Sequence, residues 1–361
     1  MQHAHRFTRL SALALGITGA LALGQVHASG FQLKENSAKG LGSAFAGTAA
    51  KTDDASAVTN NPAAMARMSG TTVQVDVTAI DLNYQFEGTG TAANGAMPMT
   101  GGDGGNAGAV TPVPAMSVVH KFDNGLALGA MVSAPFGLKT EYEDGWQGRY
   151  FAHTSDVKIV DLTLSAAVDV IPEKLSVGVG AIFSRADVTL SKSVDFGTLL
   201  FANPATRPLP FARPQARDGF VEVQGDDNGF GWLVGMHAKP TENLSVGVSY
   251  RSEIDYDLEG TADWTVPTDV ATIFGMSPTT APLFKDGNVT AALTTPSVLS
   301  LGATYQVTDS FKLMASWAET KWTSLREVRI NFQNPDPDAV EDFSWRDTEF
   351  MSLGGEFKLN E

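Results

Sequence analysis

Apolar and polar side chains alternate along most of the chain after residue 70. The odd-numbered residues from Leu175 to Phe183 are apolar, and most of the residues between them are small or polar. The same alternation runs through residues 160–170, 230–238 and 244–250. A period of two is typical of β-strands with one apolar face. It predicts strands at residues 71–86, 112–122, 126–138, 154–171, 174–192, 219–239, 243–259, 289–307, 311–323 and 342–358.

Short and long connections alternate between these predicted strands. The short links are residues 123–125, 172–174, 240–243 and 308–310, and the long links are about 88–110, 138–153, 193–218, 260–288 and 324–341. Short turns on one side and long loops on the other are typical of outer-membrane barrels. A soluble β-protein has little reason to maintain this pattern. We therefore predict an all-β fold, a transmembrane antiparallel β-barrel, and keep a soluble β-protein as the alternative.

The first 28 residues predict a signal peptide. Arg6 and Arg9 precede an apolar run from Leu10 to Leu23, and Val26-His27-Ala28 forms a small-residue cleavage pattern. No later segment reaches the roughly 20 apolar residues that a spanning helix needs. We expect export with cleavage after Ala28, and an uncleaved amphipathic N-terminus is the alternative.

Residues 29–70 form a segment of another kind, rich in Gly, Ala, Ser and Asn. Its glycines weaken both helices and strands, and Pro62 cannot donate a backbone hydrogen bond. Such a segment is expected to be ordered only when the rest of the protein encloses it. We predict that residues 29–70 form a plug, called the hatch below, inside a barrel made by residues 71–361.

Composition and charge narrow the possible functions. The chain of 361 residues has no cysteine, which excludes disulfides, cysteine nucleophiles and thiolate metal sites. A formal net charge of −15 argues against nucleic acid as a partner. The histidines after the signal peptide, His120, His153 and His237, lie on separate predicted elements, so no metal site is expected. Without a nucleophile motif we expect no catalytic residues and no cofactor, and keep a barrel lipid hydrolase or a structural surface protein as alternatives.

Several short motifs carry a resemblance to a known family. They are residues 29–33 (SGFQL), 40–47 (GLGSAFAG), 53–56 (DDAS) and 61–63 (NPA), with weaker echoes at 134–138, 148–150, 249–253 and 345–348. In this order and spacing they resemble the FadL-type outer-membrane transporters of long-chain fatty acids, a family that also includes channels for aromatic hydrocarbons. The resemblance runs from the hatch to the end of the chain.

The resemblance implies a function as well as a fold. It implies a monomeric outer-membrane barrel of about fourteen strands, in contact with outer-membrane lipid and lipopolysaccharide, that passes hydrophobic ligands without catalysis or energy input. A long-chain fatty acid or a similar molecule is the expected ligand, and an aromatic hydrocarbon or alkane is the alternative. Because residues 359–361 are turn-like where such barrels usually end in a strand with a terminal aromatic residue, we expect that the chain is C-terminally incomplete.

The third predicted strand meets Pro135-Phe136-Gly137. Proline removes a donor from the ladder, so the strand either kinks here or ends and begins an outer loop. In the FadL-type family a kink in the third strand makes a lateral opening through the wall. The resemblance therefore favours Pro135, Phe136 and Gly137 as the edge of such an opening.

A ligand carboxylate needs a cation inside the barrel, because burying it unpaired is costly. Lys192 belongs to the lumen-facing set of its strand, whereas Arg185 shares the lipid-facing set. The resemblance places Lys192 where the transporters carry a basic residue for the ligand head group, and a solvated loop lysine is the alternative. The second head-group lysine of the family has no counterpart here, where the nearest cations are Arg329 and Arg346; we keep Arg346 as a candidate.

Arg251 lies in the lumen-facing set of its strand together with Glu253. This placement predicts that Arg251 either belongs to a salt-bridge network that holds the hatch or contacts the ligand directly. In the hatch, the resemblance favours Phe31 and Leu33 as ligand contacts. Asn61-Pro62-Ala63 is interpreted as a structural turn, with a gate as the alternative.

Overall fold

The computed structural model describes residues 30–92 and 97–359. The predicted signal peptide, residues 1–28, lies outside the described residues. The strands are β1 (Thr71–Asp81), β2 (Thr91–Ala92), β3 (Met97–Pro98), β4 (Val110–Lys121), β5 (Leu126–Glu141), β6 (Thr154–Ile171), β7 (Leu175–Asp195), β8 (Asp218–Thr241), β9 (Leu244–Arg251), β10 (Ile254–Thr265), β11 (Gly287–Thr295), β12 (Val298–Thr308), β13 (Phe311–Thr320), β14 (Glu327–Phe332), β15 (Ala339–Asp342) and β16 (Thr348–Phe357). The helices are α1 (Ala38–Leu41), α2 (Ala57–Asn60), α3 (Phe196–Ala202) and α4 (Thr268–Gly275), with 3₁₀ turns at Thr48–Ala50, Pro62–Arg67 and Trp322–Ser324.

Fourteen of these strands form one antiparallel sheet, and β2 pairs with β3 separately. The predicted antiparallel β-architecture is confirmed. Some stretches that the sequence predicts as one strand are two strands in the structure. The single strand β8, for example, pairs with β9 along one part of its length and with β10 along another. The predicted strand 243–259 is thus β9 and β10, and the predicted strand 289–307 is β11 and β12. The long loops after β7 and β10 carry α3 and α4, which strand periodicity did not predict.

The convex face of the sheet is apolar. Its exposed side chains on three adjacent strands include Val160, Leu162, Leu164, Val177, Val179, Phe183, Phe230, Trp232 and Val234. They occupy alternate positions, as the period-two pattern requires. Within the part of the chain that the structure describes, no helix has the length and hydrophobicity to cross a membrane.

The concave face of the sheet holds residues 30–70. Serines on the small polar face of the strands donate to hatch carbonyls: Ser165 Oγ to Val58 O at 2.8 Å, Ser176 Oγ to Ala63 O at 2.8 Å and Ser249 Oγ to Asn60 O at 2.5 Å. These bonds supply partners for carbonyls of α2 and of the 3₁₀ turn Pro62–Arg67, which are too short to pair all of their own backbone groups. The polar half of the alternating pattern therefore binds the hatch.

Apolar contacts and glycines complete the fit between hatch and wall. Val58 and Met65 are fully buried in a cluster with Val119 and Met131 of β4 and β5. At Gly247 of β9, a Cβ atom would collide with the carbonyl of Ala49. Glycine here lets the hatch backbone approach the wall within contact distance.

Candidate ligand-binding site

The ladder between β4 and β5 is incomplete. Residues 116–121 of β4 pair with residues 127–132 of β5, whereas the upper part of β4 pairs only with β1. On its other side β5 continues to pair with β6, with a register shift between Ser133 and Phe136. Pro135 lies inside this shift, where its missing N–H costs no ladder bond. The upper part of β5 therefore has one edge that β4 leaves free.

The tip of the hatch pairs with this free edge. Leu33 N donates to Pro135 O at 2.8 Å, and Gly137 N donates to Phe31 O at 2.9 Å. Gln32 and Phe136 form an isolated antiparallel bridge between these two bonds. The hatch tip thus acts as a short extra strand against the wall at the irregular position of β5.

An interior cavity of about 120 Å³ lies between the hatch tip and the wall. It is lined by Leu33 and Lys34 of the hatch, Pro135 of β5, Arg251 of β9 and Phe350 of β16. The cavity therefore combines apolar side chains with two cations, and it adjoins the irregular segment of β5.

Arg251 belongs to a buried polar network. Its Nη1 lies 2.7 Å from Asp161 Oδ2, and Asp161 is fully buried. Ser184 Oγ donates to Asp161 Oδ1 at 2.6 Å and lies 2.6 Å from Tyr256 Oη. The Nε and Nη2 groups of Arg251 have no hydrogen-bond partner among the described residues.

The carboxylate that pairs with Arg251 is thus Asp161. The sequence pattern suggested Glu253 instead, but Glu253 is exposed. The interruption between β9 and β10 ends the alternation that placed both residues on one face.

Lys34 is a second cation of the cavity, and no motif in the sequence predicted it. Its Nζ lies 4.5 Å from the centroid of the Phe350 ring, and no ion pair joins it to a carboxylate within the described ranges. Burial lowers the pKa of the Lys34 ammonium, and the nearby Glu35 carboxylate opposes that shift. The only signal in the sequence was its position one residue after Leu33.

The other predicted cations lie away from this cavity. Lys192 is on β7, with Nζ 3.5 Å from Glu341 Oε1. Arg346 is exposed between β15 and β16. The structure therefore brings Leu33, Pro135 and Arg251 together, and it leaves Lys192 and Arg346 apart from them.

Phe31 and Phe136 belong to an aromatic cluster above the cavity. Phe31 contacts the rings of Phe136, Trp322 and Trp345 with centroid distances of 5.8, 5.2 and 5.8 Å. The Arg251 guanidinium carbon lies 5.9 Å from the centroid of the Phe136 ring, so the cluster and the cavity are neighbours.

Asn61 lies deep in the hatch and joins it to the wall. Its Nδ2 donates to Ala49 O at 2.6 Å and to Met236 O at 3.0 Å, and its Oδ1 accepts from Ala63 N at 3.1 Å. Pro62 follows at the first position of a 3₁₀ turn, where its missing N–H needs no partner. Asn61, Pro62 and Ala63 are all fully or nearly fully buried.

Replacing Asn61 by alanine is expected to destabilise the protein by about 1–3 kcal/mol, because buried carbonyls lose their donors. Urea unfolding of the folded protein in detergent measures the change. Asn331→Ala is the control, because Asn331 is exposed on β14 and its side chain donates one long bond, of 3.4 Å, to Thr290 O. Equal losses in the two variants would contradict the anchoring interpretation of Asn61.

Comparisons with known proteins agree with this architecture. The model of a protein family described as outer membrane protein transport protein (OMPP1/FadL/TodX) matches residues 19–361. Outer membrane protein P1 of Haemophilus influenzae is 30% identical to the chain, and the match covers 94% of this chain and 76% of that protein. A long-chain fatty acid transport protein of Salmonella typhi is 27% identical, with 94% and 77% covered. The crystal structure of a Pseudomonas aeruginosa FadL homologue superposes with a TM-score of 0.84 at 26% identity, and it covers 92% of this chain and 79% of that one.

Proposed function

The chain belongs to the OMPP1/FadL/TodX family of outer membrane transport proteins, and we propose that it transports long-chain fatty acids or similarly hydrophobic molecules by passive, ligand-gated diffusion. The family transports hydrophobic compounds across the Gram-negative outer membrane. In this proposal residues 29–70 form the hatch, residues 71–361 form the barrel, and residues 1–28 are removed on export. The protein acts as a monomer among outer-membrane lipid and lipopolysaccharide, and it is not an enzyme.

The observation that carries the proposal is the cavity with two cations between hatch and wall. A fatty acid is an apolar chain with one carboxylate, and burying that carboxylate requires a charged partner. The Lys34 ammonium, and the Nε and Nη2 groups of Arg251 that lack partners among the described residues, are suited to this head group. Leu33 and Pro135 supply apolar surface beside them.

The lateral route follows from the same place in the wall. β4 pairs with β5 only as far as residue 132 of β5. Beyond that residue, the edge of β5 pairs with the hatch tip instead. If the tip withdraws, the gap between β4 and β5 opens from the cavity toward the apolar convex face. Pro135, Phe136 and Gly137 are the residues proposed to border this opening.

Labelled oleate tests the proposal on the purified protein. Saturable binding without a chemical product supports transport. Product release would instead identify a lipid hydrolase, and absence of any binding would favour a structural surface protein. Saturable binding of a hydrocarbon without binding of oleate would favour the aromatic or alkane channel.

Replacing Lys34 by methionine is expected to weaken oleate binding about tenfold or more, because a charge-assisted hydrogen bond of about 1.5–3 kcal/mol is lost. Equilibrium binding measures the change. Lys158→Met is the matched control, because Lys158 is exposed beside Asp156. Lys192→Met tests the head-group assignment suggested by the sequence. A loss in Lys192→Met with none in Lys34→Met would overturn the assignment to Lys34.

A further inference from the structure

A second cavity, of about 390 Å³, lies at the end of the lumen where short turns join the strands. This basal cavity is lined by Lys51 and Arg67 of the hatch, by His237 of β8, and by Glu173 and Asn243 of the turns after β6 and β8. Among the described residues it shares no lining residue with the candidate ligand-binding cavity. The short turns of outer-membrane barrels face the periplasm. The basal cavity is therefore accessible to periplasmic solutes.

His237 is a buried polar side chain of the basal cavity. It is 1% exposed, and neither of its ring nitrogens has a hydrogen-bond partner among the described residues. The backbone of Ala50 is near the ring but makes no hydrogen bond of normal geometry with either nitrogen. Buried polar atoms are nearly always paired, because leaving them unpaired costs free energy. His237 is thus suited to a polar ligand in the cavity.

Arg67 uses only part of its guanidinium group in an ion pair. Its Nη1 lies 3.0 Å from Asp169 Oδ1. Its Nε and Nη2 are buried and have no hydrogen-bond partner in the part of the chain that the structure describes. These two nitrogens form one edge of the planar group, and such an edge matches two oxygens of an oxyanion.

Lys51 is a buried cation of the same cavity. It is 5% exposed, its Nζ donates to Ser43 Oγ at 2.6 Å, and it forms no ion pair within residues 30–92 and 97–359. Burial lowers the pKa of the Lys51 ammonium, and nearby carboxylates, of which Asp53 has the largest effect, oppose that shift. An ammonium group has three N–H donors. Lys51 therefore has donors for a ligand besides the one that Ser43 accepts.

Three carboxylates also line the basal cavity: Asp53, Glu173 and Glu242. Asp53 Oδ2 lies 2.7 Å from Lys39 Nζ, and Glu242 Oε2 lies 3.2 Å from Lys239 Nζ. Glu173 is exposed on its turn, where water and salt screen its charge. The buried donors of the cavity are thus not matched by buried free carboxylates, and they favour an anion.

We propose that the basal cavity binds a phosphate group, held by Lys51 and Arg67 of the hatch and by His237 of the wall. A phosphate group has three or four acceptor oxygens and can accept bonds from three side chains at once, whereas a carboxylate has two oxygens. Because about 10–15 Å³ of such space holds one water molecule, the cavity has room for this anion. Bound phosphate joins the hatch to the wall and thereby stabilises the hatch in the lumen. The inference goes beyond the transport function and holds whichever hydrophobic molecule is transported.

Equilibrium dialysis of labelled inorganic phosphate against the purified protein in detergent, at constant ionic strength, measures this binding. We expect one saturable site, with affinity about tenfold lower or more in Lys51→Met and in Arg67→Gln because charge-assisted hydrogen bonds are lost. Circular dichroism checks that each variant is folded. Unlabelled glycerol 3-phosphate and dioleoylphosphatidic acid serve as competitors. Displacement by either one supports a phosphate site, and the comparison shows whether a soluble phosphate or a lipid headgroup is the better ligand.

Lys239→Met is the matched control for charge. It removes one positive charge from the same cavity, but from an ammonium that is paired with Glu242. We expect its phosphate affinity to fall about threefold or less. Equal losses in Lys239→Met and Lys51→Met would reduce the binding to a general charge effect and overturn the proposal. Absence of saturable phosphate binding would overturn it as well.

The ring of His237 provides a readout that general effects of salt do not reproduce. The histidines of the described residues are His120, His153 and His237, so NMR of isotope-labelled histidine gives few signals, and His237→Gln assigns one of them. We expect phosphate to shift the His237 signal along the saturation curve found by dialysis and to leave the other two in place. An unchanged His237 signal at saturating phosphate would contradict the site. Equally effective displacement of phosphate by acetate would contradict the choice of phosphate as its ligand.

Discussion

Replacing Arg251 by methionine is expected to lower the free energy of unfolding by about 3–5 kcal/mol, because it leaves a buried carboxylate without its charged partner. Asp161 is fully buried, and its Oδ2 lies 2.7 Å from Arg251 Nη1. Ser184 donates to Asp161 Oδ1, but a hydroxyl group cannot neutralise a carboxylate. The ion pair between Arg251 and Asp161 is therefore expected to contribute strongly to the free energy of unfolding.

Urea unfolding in detergent measures the loss, and two further variants define its cause. Arg185→Met removes an arginine that pairs with Asp226 at 2.9 Å on the exposed face, and it is expected to cost about 0–1 kcal/mol. The double variant Asp161→Asn, Arg251→Met should recover most of the stability, because no unpaired charge remains buried. A double variant no more stable than Arg251→Met would contradict this explanation.

Much of the wall could be predicted from the sequence, because strand alternation is a local property. Residues such as Val179 and Phe183 on one face and Ser176 on the other follow directly from a period of two. The prediction of an antiparallel outer-membrane barrel is confirmed. The same rule fails after Arg251, because a two-residue interruption before β10 changes the face without a Gly or Pro to mark it.

The candidate site was less predictable, because its contacts join distant segments. Arg251 could be proposed from its position on an inner face, but its partner Asp161 is on a different strand and far away in sequence. The sequence alone does not distinguish Lys34 from a solvated lysine, because its position in the cavity depends on how the hatch packs against the wall. Lys192 remains a prediction, since its bond to Glu341 does not exclude a ligand contact.

The aromatic cluster around Phe31 shows why the irregular segments were hardest to predict. Phe136, Trp322 and Trp345 lie where the wall departs from regular pairing, and periodicity gives no information there. Their rings nevertheless meet Phe31 of the hatch, with centroid distances of 5.2–5.8 Å. The positions that local rules cannot predict are the positions that surround the proposed site.

A disulfide between Gln32→Cys and Phe136→Cys is expected to lower transport at least about tenfold, because the cross-link removes the state in which the hatch tip leaves the wall. The two residues face each other in an isolated antiparallel bridge. The flanking bonds, Leu33 N to Pro135 O and Gly137 N to Phe31 O, make them a non-hydrogen-bonded pair. Such pairs have Cα atoms about 4.5 Å apart, which is within the range of disulfides.

The chain has no cysteine of its own, so the engineered pair is the only one that can form. Uptake of labelled oleate into proteoliposomes measures transport before and after reduction with dithiothreitol, and reduction should restore the rate. Each single cysteine variant controls for the loss of the native side chain and should not respond to oxidant. Because the tip closes the free edge of β5 beside the cavity, locking it closes both the cavity and the gap toward β4. If the fully oxidised protein transported oleate as fast as the reduced one, the ligand would have to pass without movement of the hatch tip, and the lateral route would be wrong.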